Sequence, residues 1–222
     1  NDRFREILES AYKAFEVPEV APVIPLGGQH YLLELFHGPT LAFKDVAMQL
    51  LARLMDEALA RRGRRATIIG ATSGDTGGAA IEAFRGRENI DIFIFFPEGR
   101  VSDFQRKQMT TPTDENVQAL AVEGTFDDCQ ALVKDMFNDA DFRHETGLAG
   151  VNSINWARVM AQTVYYFTAS AQLGGPDKEI AFSVPTGNFG DIFAGYVAKQ
   201  MGLPIAQPVS YTHLTLPTKR IV

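Results

Sequence analysis

The sequence predicts an α/β fold of mostly parallel sheets with helices on both faces. Three observations predict it. Apolar strand-like runs alternate with amphipathic helical runs through most of the chain, the pattern of βα units. Two of these units, "ATIIGATSGDTGGAAIEAF" and "EIAFSVPTGNFGDIFAGYVAKQMG", share a strand, Gly-rich turn, helix design. The run "IDIFIFFPEG" is apolar almost throughout, as expected of a strand buried on both faces.

Taken in order, residues 1–15 suit a helix with Phe4, Ile7, Leu8, Ala11 and Phe15 on one face. "VAPVIPLG" is extended, and "YLLELF" is a short strand leading into the turn "HGPT". From Phe43 a helix of about twenty residues carries Val46, Leu50, Leu51, Leu54, Met55 and Leu59 at helical spacing. Residues 101–112 suit a helix and "NVQALAVEG" a strand. Thr125 is an N-cap for "FDDCQALVKDMFND". "LAGVNSIN" ends a short strand, and "WARVMAQTVYYFTASAQLG" is a helix that stops at Gly174 and Gly175. The last fourteen residues, "VSYTHLTLPTKRIV", show no period. A strand starting after Pro208 has nothing following it to pair with. The stretch 208–222 reads as cloning or adapter sequence, against the alternative of a natural disordered tail.

The 222 residues are 45% hydrophobic and 22% charged, enough apolar material for a sizeable core. A net charge of −6 argues against a nucleic-acid groove or an anionic membrane surface. The dense basic run Arg61, Arg62, Arg64, Arg65 suits a helix's last turn and loop. The single cysteine, Cys129, rules out an internal disulfide and fits a reducing cytoplasm. It lies in a helical pattern and is expected to be packed. No metal-type Cys/His spacing and no membrane-length apolar stretch is present.

Three places carry chemistry. "SGDTGG", residues 73–78, follows an apolar strand. Its glycines let backbone N–H groups approach an anion, and a helix N-terminus adds its dipole. The alternative is an ordinary tight turn with Asp75 as N-cap. "PTGNFGD", residues 185–191, invites the same two readings. It is neither a Walker A loop nor GxGxxG. The third place is Lys44, held among apolar neighbours at a helix mouth. Desolvation and the dipole would lower its pKa and leave a nucleophilic amine; a solvated lysine near a helix start is the other reading. One lysine with two anion-binding turns suggests pyridoxal 5'-phosphate, which needs an amine, a phosphate cradle and a second anion site for its substrate.

"LELFHGPTLAFKD", "ATSGDTGGAA", "NSIN" and "VPTGNFGDIFAGYVAKQMGLP" closely resemble the threonine synthases, pyridoxal-phosphate enzymes of the tryptophan-synthase-β-like fold (fold-type II). The resemblance runs from about residue 1 to about residue 206. It implies that Lys44 is the Schiff-base lysine and that Gly187, Asn188, Phe189, Gly190 and Asp191 surround the cofactor phosphate. It implies that Ser73, Gly74, Asp75 and Thr76 hold substrate, with Asn155 and Arg158 as candidates for the substrate phosphate. For Arg158 the alternative is a surface residue in a helix's first turn. The implied reaction converts O-phospho-L-homoserine and water to L-threonine and phosphate, in a cytoplasmic monomer or homodimer. The resemblance divides the chain into 1–60 (large domain with the lysine), 61–148 (smaller α/β domain), 149–207 (large domain with the phosphate loop) and the tail. Because family members extend further at both ends, it also implies an incomplete fold, exposed apolar surface and a chain without normal activity. Two other readings of the scaffold are a serine or threonine dehydratase and a non-catalytic anion-binding protein.

Overall fold

The computed structural model describes residues 2–153, 155–185 and 188–211, with backbone alone for 207–211. The chain divides into two compact units, Asn1–Arg158 and Val159–Val222.

The first unit opens with helix α1 (Asp2–Tyr12). It ends before the expected Phe15, and Phe4 is exposed, so the buried face narrows to Ile7 and Ala11. Phe15 is still buried, edge-on to Tyr12. Strands β1 (Val23–Gly27) and β2 (His30–Leu33) pair antiparallel. This hairpin departs from the parallel rule because Gly27 and Gly28 permit a tight return. Helix α2 (Lys44–Arg62) follows. Its first half, Asp45 to Ala52, is buried on every side and residues 53–57 are all half-buried, so the expected one-faced pattern is corrected. Arg61 and Arg62 lie in its last turn, as the basic run predicted.

Next come β3 (Ala66–Ala71), α3 (Asp75–Phe84), β4 (Ile90–Pro97), α4 (Asp103–Thr110), β5 (Val117–Val122), α5 (Phe126–Asn138), α6 (Ala140–Thr146) and β6 (Leu148–Ala149). The sequence pattern gave no sign of α6, which is short and has no buried residue. The four strands form one parallel sheet in the order β5-β4-β3-β6. The chain steps outward from β3 to β5 and then returns to place β6 on the other side of β3. Its topological switch point therefore lies between β3 and β6, where ligands collect in open α/β sheets.

Ile68, Ile90, Ile92, Ile94 and Phe96 pack with Met48 of α2, Ile81 and Phe84 of α3, and Met109 of α4 to form the core. Only that face of β4 is fully buried. Asp91, Phe93 and Phe95 on the opposite face are half-buried, so the expected burial on both faces is corrected. The helix beyond them, α5, commits only Cys129 to full burial.

The second unit takes α7 (Trp156–Gln172) from Val159 onward, β7 (Ile180–Pro185), α8 (Gly190–Gln200) and β8 (Ile205–Tyr211). Strand β8 starts at Ile205, before Pro208, and pairs parallel with β7. The expected strand thus finds its partner upstream, in β7, and not downstream of Pro208. The expectation for residues 212–222 lies outside the described residues. Among the described residues, no helix is long and apolar enough to cross a membrane.

Candidate active site

Lys44 is the first residue of α2 and is reached through a strained turn. Leu41 has a left-handed backbone, φ 61°, and its N–H donates to Gly38 O at 3.0 Å. Strain of this kind in a residue with a Cβ collects at functional sites. Behind the lysine, Asp45 is fully buried. Its carboxylate accepts from Thr40 N–H at 2.8 Å and Thr40 Oγ1 at 2.7 Å. Gly38 is fixed by that packing, since a Cβ there would meet Asp45 Cβ at 2.5 Å. Burial pushes the Asp45 pKa up, against the two Thr40 bonds.

The Lys44 side chain is only 16% exposed. Its Nζ lies 4.3 Å from the Phe43 ring centroid and 3.4 Å from Asp75 Oδ2. Burial lowers its pKa; Asp75 opposes that, and the positive charge of Arg158 adds to it. The amine is thus held nearer to its neutral, nucleophilic form than an ordinary lysine.

The turn after β3 brings Asp75 to the lysine. Thr72 is buried, and its hydroxyl accepts from the N–H groups of Gly74 and Gly77, each at 3.0 Å. Gly74, not Asp75, occupies the N-cap position. The expected Asp75 cap is therefore corrected: Thr72 takes the donors, and Asp75 is free to turn outward. Gly74 has φ 156°, and a Cβ there would stand 2.3 Å from Gln105 Nε2. A side chain there would be strained and would displace the Gln105 amide. Ser73 is exposed and Thr76 half-buried.

At the switch point, Thr72, Thr76, Gly150, Val151 and Asn152 line a cleft of about 470 Å³. Asn155 lies beyond β6 and caps α7: its Oδ1 accepts from Ala157 N–H at 3.0 Å and Arg158 N–H at 3.3 Å. Its amide donates to Gly150 O at 3.0 Å. Arg158 is 3% exposed and donates to Val151 O at 2.9 Å. The surface reading of Arg158 is overturned. A guanidinium so placed is a fixed cation.

In the second unit, Asn188 and Phe189 lead into α8, with Phe189 left-handed at φ 57°. Gly190 is the first helical residue and Asp191 the second; Gly187 lies outside the described residues. The Asp191 carboxylate accepts from the hydroxyls of Tyr165 and Tyr166. Burial, then the Asp191 charge, pushes both tyrosine pKa values up, so both remain donors. Asp191 thus fixes the start of α8 against α7, leaving the helix N-terminus as the part suited to an anion.

The first unit therefore brings together Lys44, Asp75 and Arg158. The turn at the head of α8 belongs to the second unit. Sequence reasoning missed Thr72, Gln105, Tyr165 and Tyr166. Ser102-x-x-Gln105 could have been read as a capping box, but nothing in the pattern marks its link to Asp75.

A half-buried amine of lowered pKa beside a glycine-bearing turn at a parallel-sheet switch point defines a lysine-based carbonyl-binding site, and this donor set fits pyridoxal 5'-phosphate. Residues 20–211 match the family described as pyridoxal-phosphate dependent enzyme, and the chain belongs to that family. Within it, the chain is 59% identical over 210 residues to the threonine synthase of Pseudomonas aeruginosa, covering 95% of this chain and 45% of that protein. It superimposes on the crystal structure of pyridoxal-phosphate-bound threonine synthase from Brucella melitensis with a TM-score of 0.89 and 64% identity, over 94% of this chain and 45% of that one. Yeast threonine synthase gives a TM-score of 0.84 at 46% identity, over 93% and 43% of the two chains. The chain thus spans somewhat under half the length of these relatives.

Proposed function

We propose that the chain carries the lysine-bearing part of a threonine synthase, a lyase that converts O-phospho-L-homoserine and water to L-threonine and phosphate in the cytoplasm. The observation that carries this reading is the half-buried Lys44 amine facing Asp75 across 3.4 Å, in a chain so similar to threonine synthases.

Lys44 Nζ holds the cofactor and moves protons at the substrate carbons, a task suited to an amine of lowered pKa. Ser73, Gly74, Asp75 and Thr76 orient the substrate beside it. Arg158, buried and fixed through Val151, attracts the substrate phosphate, and Asn155 holds the turn that places it. The loop of Gly187, Asn188, Phe189, Gly190 and Asp191 binds the cofactor phosphate through backbone N–H groups, the Asp191 carboxylate being committed to Tyr165 and Tyr166. When bound, pyridoxal phosphate supplies the electron sink for charge developing at the substrate carbons.

The test is to add pyridoxal phosphate, reduce with borohydride and map the labelled peptide. The label is expected on Lys44, and the visible absorbance band is expected to vanish in Lys44→Ala. A band that survives this substitution, or a label elsewhere, overturns the reading. In a protein extended to the relatives' length, phosphate release from O-phosphohomoserine separates this function from a dehydratase, which forms a keto acid from serine or threonine.

A further inference from the structure

We propose that Gln105 is a positioning residue for Lys44: its side-chain amide tethers the carboxylate of Asp75 so that one oxygen stays turned to the lysine amine. The inference rests on the reading of Lys44 as the cofactor lysine.

Each Asp75 oxygen has one partner. Oδ2 faces Lys44 Nζ at 3.4 Å, and Oδ1 accepts from Gln105 Nε2 at 2.6 Å. The Gln105 amide has a fixed orientation. Its Oε1 accepts from Ser102 N–H at 3.3 Å and Ser102 Oγ at 3.0 Å. The carbonyl end is thereby committed to the helix cap, and only the NH₂ end is left for a carboxylate. Gly74 completes the arrangement, because any side chain there would occupy the path of the Gln105 amide.

Helix α4 is itself well anchored. Met109 is 1% exposed in the core, and Gln108 Nε2 donates to Thr40 O at 3.1 Å. Thr40 in turn donates to Asp45, the residue after Lys44. The helix thus touches both flanks of the lysine: the Asp75 turn through Gln105 and the Thr40 turn through Gln108. Asp75 is about half exposed. Untethered, its carboxylate would exchange the lysine for water, since exposed ion pairs are weak. The tether keeps a counter-charge on an amine whose charged form burial and the Arg158 guanidinium disfavour, so α4 bears on the pH at which Lys44 becomes reactive.

The experiment follows the rate at which pyridoxal phosphate labels Lys44, trapped by borohydride, as a function of pH. In Gln105→Ala the profile is expected to move to lower pH by about half a unit, or roughly threefold more labelling on its acid side. Asp75→Asn should move it the same way, and Gln105→Ala should add nothing in that background. Ser102→Ala weakens the same helix cap but keeps the backbone N–H that orients the amide, so its profile should stay with the parent. Coincident profiles for Gln105→Ala and the parent, or an equal shift in Ser102→Ala, overturn the tether while leaving Lys44 as the cofactor lysine. Failure of the parent to label at Lys44 overturns the functional reading and this inference with it.

Discussion

Asp45 follows Lys44 directly, is fully buried, and takes both hydrogen bonds that Thr40 can donate. Burial nevertheless holds its pKa above the ordinary value of 3.8. For a carboxyl raised on folding, the stability contribution is fully present below the unfolded value. It is lost as pH rises through the folded value. In Asp45→Asn this loss should disappear: the melting temperature of the parent should fall relative to the variant as pH rises from about 4 into the weakly acidic range. A constant difference between the two would contradict the raised pKa. Asp45→Ala should be worse at every pH, by about 1–3 kcal/mol, because it leaves the buried Thr40 donors unpaired. Lys44 moves the other way: its lowered pKa predicts that an amine-selective reagent modifies it at lower pH than it modifies an ordinary free lysine. Lys44 was legible in the sequence because its signal is local, a turn, an apolar run and a helix mouth. Gln105 was not, because its partner lies 30 residues away and no periodicity encodes where a side chain ends.

At the scale of elements, the Thr125 cap was readable and its energetics follow. Thr125 and Asp128 form a reciprocal capping box at the start of α5, so Thr125→Ala should cost about 1 kcal/mol in chemical denaturation. The two hydrogen bonds from Thr125 hold the Asp128 pKa down. Their contribution is present above the unfolded carboxyl value and fades as pH falls through the lowered one. Helix α8 tests a tertiary constraint. A Cβ on Gly195 would meet Tyr166 Cε1 at 2.8 Å, and Tyr166 is one of the two donors to Asp191. Gly195→Ala should therefore destabilise this unit by about 1–3 kcal/mol through overpacking. It should also perturb near-ultraviolet tyrosine signals, despite the better helix propensity of alanine. The sequence placed both Gly-rich turns ahead of helices, but not the Tyr165–Tyr166 pair that takes up the Asp191 charge. An Asp in a Gly-rich turn looks the same whether it faces a ligand or a buried hydroxyl.

For the molecule as a whole, stability in the first unit rests on one face of one parallel sheet. Ile92 is fully buried at its centre, and Ile92→Ala should cost about 2–5 kcal/mol, read as a lower denaturation midpoint. The sequence by itself determined the α/β class, the succession of βα units, the cysteine-poor acidic composition and the candidate lysine. All of these follow from periodicity, residue chemistry or short-range spacing. Tertiary structure decided the antiparallel hairpin, the return of β6 to the far side of β3, and the pairing of β8 with the strand before it. It also decided that Arg158 is buried and that Thr72 rather than Asp75 serves the turn. Strand order and burial depend on which surfaces meet after the chain closes on itself, and hydrophobic period records only that a face is buried, not what covers it.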